Sequence, residues 1–106
     1  MIGLMMMLVA STDIQGFISG NKLLELCTQD DQLQCIGYVE GASDMLQTFD
    51  AFAKAKTLCM SDKVTARQEK DIVVKYLTDN PATRDQAAGG IVMIALNEAF
   101  GCAKGG

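Results

Sequence analysis

The chain has 106 residues, 49% apolar and 21% charged, which suits one globular domain and is too short for two. A net charge of −4 with scattered Lys and Arg excludes a nucleic-acid partner that depends on clustered cations. Histidine is absent, which removes the commonest general base, the commonest metal ligand and the usual partner of a nucleophilic Ser or Cys.

Met1 to Ala10 reads MIGLMMMLVA, the length of a signal-peptide apolar core and too short to span a bilayer. Ala10-Ser11 offers small residues for cleavage, although no Lys or Arg precedes Lys22. The expected organisation is a signal-like segment over 1–10, then a single helical domain over 11–106. The competing reading of the same segment is a core helix packing Met and Leu.

The spacing predicts a short first helix starting near Ser19 to Asn21, with Leu23, Leu24, Leu26 and Cys27 on it and Phe17 packing back against it. Thr28-Gln29-Asp30-Asp31 breaks that pattern and supplies capping side chains. A second helix is predicted from Asp31 to Phe52, its apolar face formed by Ile36, Val39, Ala42, Met45, Leu46, Phe49 and Phe52. Gly37 and Gly41 lie four apart on it, and helical glycines are expected where a neighbouring backbone approaches closely.

A loop follows over Thr57 to Lys63. The third helix is signalled by Thr65 with Gln68 three residues on, a capping box, and by a buried face of Val64, Ile72, Val73, Tyr76 and Leu77. Asn80-Pro81 is expected to open the fourth helix, with Asn80 as N-cap and Pro81 at its first position. That helix carries Ala88, Ile91, Val92, Ala95, Leu96, Ala99 and Phe100, contains Gly89-Gly90, and is stopped by Gly101. Ala103 to Gly106 is expected to fray. The predicted fold is therefore all-α: a small up-and-down bundle of one short and three longer helices.

Cys27, Cys35, Cys59 and Cys102 form an even set in a short chain after an export-like segment, which reads as a disulfide framework. A zinc site would need closer cysteine pairs, and no two here lie nearer than eight residues. In a bundle, Cys27 and Cys35 fall at one pole, and Cys59 and Cys102 at the other. The expected pairs are Cys27–Cys35 and Cys59–Cys102.

No residue pattern supplies catalysis. The thiols lack a base, and Glu40 and Asp44, four apart, read as a solvated helix face. No phosphate-binding loop, metal set or cofactor motif is present in the sequence.

In order, the chain gives F-x-x-G-N-x-L-L-x-x-C from Phe17, then Cys35-x-Gly37-Tyr38-Val39-x-Gly41-x-x-Asp44. Cys59 follows, then Val64-Thr65-x-Arg67-Gln68, Tyr76-Leu77-x-x-Asn80-Pro81 and Ala95-Leu96-Asn97-Glu98-Ala99-Phe100-Gly101-Cys102. This order resembles the Tai/Rap family of immunity proteins from bacterial type VI secretion, over nearly all of the chain after residue 16. Where that family usually has proline just before the last cysteine and soon after the middle one, this chain has Gly101 and Ser61.

The resemblance implies a periplasmic, non-enzymatic helical protein, often a homodimer. It would bind a peptidoglycan amidase with a papain-like Cys–His site and occlude its cleft, with no membrane-integral segment in the mature chain. The expected partner-binding element is the loop Lys54 to Lys63, with Lys56, Leu58, Met60, Asp62 and Lys63; the alternative is a plain connection whose Leu58 and Met60 cap the bundle. A second candidate is the acidic turn with Asp30 and Asp31. A disulfide-stapled envelope binding module, a periplasmic chaperone or an adaptor would share the same form.

Overall fold

The apolar spacing builds four α-helices in the computed structural model, which describes residues 17–102. The signal-like segment Met1 to Ala10 and the tail Ala103 to Gly106 lie outside the described residues. The helices are α1, Gly20–Cys27; α2, Leu33–Ala53; α3, Ala66–Asp79; and α4, Ala88–Phe100, with one 3₁₀ turn at Pro81–Thr83. No strand is found among the described residues, and every helix touches the other three. The fold is the expected all-α bundle of one short and three longer helices.

Local chemistry sets most boundaries. Ser19 caps α1, its Oγ accepting from the Lys22 N–H at 3.1 Å, and Thr28 closes it by donating to the Leu24 carbonyl at 3.0 Å. Asp31 Oδ1 accepts from the Leu33 N–H at 3.0 Å, which starts α2 two residues later than expected. The α3 capping box is present in both directions: Gln68 N–H to Thr65 Oγ1, and Thr65 N–H to Gln68 Oε1, each at 3.1 Å.

The start of α4 differs from the expectation. Asn80 does not cap α4 but closes α3, its backbone N–H and side chain both donating back to the Tyr76 carbonyl, and Pro81 begins only a single 3₁₀ turn. The connection is held out of a helix because its carbonyls serve α1. The Gly20 and Asn21 N–H groups, orphan donors at a helix start, bond the carbonyls of Gln86 and Arg84 at 2.9 and 2.7 Å. The Ala88 N–H returns a bond to the Ile18 carbonyl at 2.8 Å. This lacing turns Ile18 inward against the core and leaves its neighbour Phe17 68% exposed, not packed on α1.

The core is Leu23, Cys27, Cys35, Val39, Val73, Leu77, Ala88, Ile91, Val92, Ala95 and Leu96. Both disulfides form as expected, Cys27–Cys35 and Cys59–Cys102, each with Cα atoms 4.9 Å apart. Thus α1, about 12 Å long from its helical rise, spans between the start of α4 and the start of α2.

Two further expectations are corrected. The buried seam of α2 is Cys35, Val39 and Ser43, while Met45, Phe49 and Phe52 are 64%, 67% and 83% exposed. The cause is helical phase: with Cys35, Val39 and Ser43 turned inward, Met45, Phe49 and Phe52 fall about 120–180° round the helix from Ser43, on its outer side. On α4, Ala99 is exposed at the edge of an open hollow that it shares with Ile72, Tyr76 and Ala95. The close approaches are at Gly20, where a Cβ would meet Ile91 Cδ1 at 2.5 Å and the Arg84 carbonyl oxygen at 3.0 Å, and at Gly101, where it would meet the Asn97 carbonyl oxygen at 2.5 Å. Gly37 and Gly41 instead have nothing within 4 Å of where a Cβ would sit.

Candidate functional site

The loop after α2 is fixed by its backbone. Lys54 and Lys56 take φ of 52° and 53°, left-handed values that non-glycine residues seldom adopt. Asp50, in the last turn of α2, holds them there. Its carboxyl accepts from the Thr57 hydroxyl at 2.6 Å, the Thr57 N–H at 2.8 Å and the Leu58 N–H at 3.4 Å. These donors, the Thr57 hydroxyl foremost, hold the Asp50 carboxyl below the ordinary carboxylate range.

Beyond Thr57 the chain pairs with the end of α4. The Cys59 N–H donates to the Phe100 carbonyl at 2.8 Å and the Cys102 N–H to the Thr57 carbonyl at 3.0 Å, around an antiparallel bridge between Leu58 and Gly101. The Cys59–Cys102 disulfide straps the same junction covalently. Ser61 then turns the chain into α3, its Oγ accepting from the Lys63 N–H at 3.0 Å.

The five loop residues separate into two roles. Lys56, Asp62 and Lys63 are exposed. Leu58 packs on the core, and Met60 is half-buried, its sulfur accepting from the Ser43 hydroxyl at 4.0 Å. Asp30 and Asp31 are exposed at the other end of α2, with Gln32, Leu33, Ile36 and Arg67 around the same shallow hollow. Some 31 Å of helix, from the rise per residue, separates that turn from the loop, so the two candidates do not form one site.

Two features escaped the sequence reading. One is a groove of about 540 Å³ between α2 and α3, lined by Gly37, Glu40, Gly41, Ser43, Asp44, Gln47 and Glu69. Glu69 is only 7% exposed, and its Oε1 has no hydrogen-bond partner. Its register was the available signal, because Glu69, Val73 and Leu77 repeat every four residues along the buried side of α3. The other is an apolar hollow of about 180 Å³ beside the exposed stripe of α2, with Leu46, Phe49, Leu58 and Met93 in its walls.

Among the described residues, no group of three His, Cys, Asp or Glu side chains is placed to hold a metal ion, and no helix is long and apolar enough to cross a membrane. A family model described as Rap1a immunity proteins matches residues 19–102. No curated protein and no solved structure matches the chain.

Proposed function

Because the chain belongs to the Rap1a immunity protein family, whose role is protection against a secreted effector, we propose that it acts in the periplasm by binding a type VI secretion peptidoglycan amidase and occluding its active-site cleft. The loop Lys54 to Lys63 is the element that enters the cleft. The observation that carries this mode is the loop's fixation: the Asp50 carboxyl, two backbone bonds to the end of α4 and one disulfide. A preorganised inhibitor loop loses little entropy on docking, which is what stoichiometric blockade of a cleft requires. The two disulfides agree with export to an oxidising compartment.

Lys56, Asp62 and Lys63 make the contacts, while Leu58 and Met60 support the loop from below. The test uses a purified type VI secretion peptidoglycan amidase with a papain-like Cys–His site and the triple variant Lys56→Ala/Asp62→Ala/Lys63→Ala. Calorimetric affinity should fall by about 2 kcal/mol or more, the size of a typical interface hot spot, with thermal stability unchanged. Met60→Ala should lower stability as well. Equal affinity of the triple variant and the parent would rule the loop out.

The exposed stripe Met45, Phe49 and Phe52 supports a further part of this reading, pairing of two copies into a homodimer. Sedimentation should show a dimer for the parent and a monomer for Phe49→Ser/Phe52→Ser. A monomeric parent would remove the dimer from the proposal.

A further inference from the structure

A glutamate buried on the seam of a helix is normally paired, because a buried polar group without a partner is costly. Glu69 is buried to 7% exposure and its Oε1 is unpartnered. It lines the α2–α3 groove, which also takes in Glu40 and Asp44 and has no basic residue in its wall. The nearby lysine on α3, Lys70, is engaged with Asp71 at 2.7 Å. The α2 side of the groove is floored by Gly37 and Gly41, so the space above the helix is open. Ser43 Oγ and the Gln47 amide, hydrogen-bonded to each other at 3.0 Å, form the far wall.

We propose that the groove between α2 and α3 receives an arginine side chain of the partner, whose guanidinium meets the Glu69 carboxyl, with Glu40 and Asp44 at the rim. That the partner is an effector protein rests on the immunity reading above. A guanidinium fits for three reasons. It is planar, so it slides over a glycine floor. It has five donors, so it satisfies Glu69 in a forked pair and has donors left for the rim. It is weakly hydrated compared with an ammonium, so entry into a partly closed groove costs it less. The terminal torsion of a glutamate is soft, so the carboxyl turns to present both oxygens without moving its backbone. Until the partner arrives, Glu69 carries an unmade interaction, and the free protein is less stable for it.

The test has an arm that needs no effector. N-acetyl-arginine methylamide is titrated into the disulfide-bonded protein in the millimolar range, and amide shifts of Gly37, Gly41, Ser43 and Gln47 are followed by NMR. They should move saturably, stay still with the uncharged citrulline counterpart, and stay still in Glu69→Gln. Glu40→Gln/Asp44→Asn, changed only at exposed positions, should weaken the response without abolishing it. Glu69→Gln should also melt no lower than the parent, whereas a glutamate with a structural role would lose stability on replacement. No saturable shift, or an equal shift in Glu69→Gln, overturns the proposal. A response to the lysine counterpart but not to arginine overturns the choice of guanidinium.

In the second arm the same purified amidase is bound to parent and Glu69→Gln. A loss of about tenfold or more in affinity is expected for a buried charged contact at an interface. Equal affinity removes the groove from the interface and leaves the immunity function intact. An amidase that fails to bind the parent overturns the proposed amidase target instead, and the arginine arm still decides the groove.

Discussion

Cys27–Cys35 spans eight residues and is sunk in the core, its cysteines 3% and 0% exposed, whereas Cys59–Cys102 spans 43 residues, with Cys59 exposed and Cys102 half-buried. The first sits where α1 meets the start of α2, among Leu23, Val39 and other fully buried side chains, so its sulfurs are packing material as well as a crosslink. The second sits where α2 and α4 end, under a loop whose outer residues face solvent. One end of the molecule is built by filling space, the other by tying down backbone. The difference matters because a surface for a partner has to be rigid without being buried, and only the second construction provides that.

The largest test of this contrast removes each crosslink in turn. Chain entropy alone assigns about 4 kcal/mol to Cys59–Cys102 and about 2.5 kcal/mol to Cys27–Cys35. The buried pair also loses roughly 1 kcal/mol of packing per sulfur in Cys27→Ala/Cys35→Ala, at the value of a buried methylene. The two double variants should therefore unfold in denaturant with similar losses of about 4 kcal/mol. Hydrogen exchange should tell them apart: Cys59→Ser/Cys102→Ser frees the Cys59 and Cys102 amides first, while the core variant loosens α1 and the start of α2 together. Identical exchange patterns would erase the distinction between the two ends.

A smaller effect sharpens the same contrast through glycine. Gly20→Ala pushes a Cβ to 2.5 Å from Ile91 Cδ1, 3.0 Å from the Arg84 carbonyl oxygen and 3.1 Å from Leu77 Cδ2. A neighbour that is backbone cannot give way, so overpacking should cost about 1–3 kcal/mol. Gly37→Ala and Gly41→Ala, over open space on α2, should each stabilise by about 0.5–1 kcal/mol, the helical preference of alanine over glycine. Thermal unfolding gives the signs, and stabilisation by Gly20→Ala would contradict the tight packing of α1.

The smallest effect is set by pH at the loop. The Asp50 carboxyl titrates below the ordinary carboxylate range because Thr57 and Leu58 donate to it. Its contribution is thus fully present above the unfolded-state pKa and is lost as pH falls through the lower, folded-state value. Protection of the Thr57 and Leu58 amides, taken relative to their intrinsic exchange rate at each pH, should fall below about pH 4, the ordinary carboxylate range, before the core opens. Asp50→Asn should show the faster exchange already at neutral pH. A loop equally protected at all these pH values would mean the carboxyl does not hold it.

Much of this architecture was legible in the sequence. Thr65 and Gln68 stand at a spacing that only a helix start uses, and both halves of their box are made. The cysteine pairs followed from which helix ends they flank. The phase of α2 was not legible, because Met45, Phe49 and Phe52 keep the same spacing as a buried face. Which of the two stripes turns inward is decided by the packing of the other helices on Cys35 and Val39, which carries Ser43 into the seam. Asn80-Pro81 carries a sound helix-start signal that is overridden by backbone bonds to α1, which lies some 60 residues earlier in the chain. At the candidate site, the exposed lysines and Asp62 could be named in advance. The clamp could not, since Asp50 and Thr57 are seven residues apart and no periodicity links them. The unpaired state of Glu69 depends on what two helices leave empty between them, which no single segment encodes.

The loop's fastenings join main-chain groups, the N–H groups of Thr57, Leu58, Cys59 and Cys102 and the carbonyls of Thr57 and Phe100, to a few inward side chains, the Asp50 carboxyl, the Thr57 hydroxyl and the Cys59–Cys102 disulfide. The side chains of Lys56, Asp62 and Lys63 take no part in them. Shape and chemical message are therefore carried by different atoms. On the proposed binding mode, such a loop can drift at its outward positions under an arms race with a changing toxin while its fold is inherited intact. New specificities become reachable by single substitutions that do not pass through an unfolded ancestor.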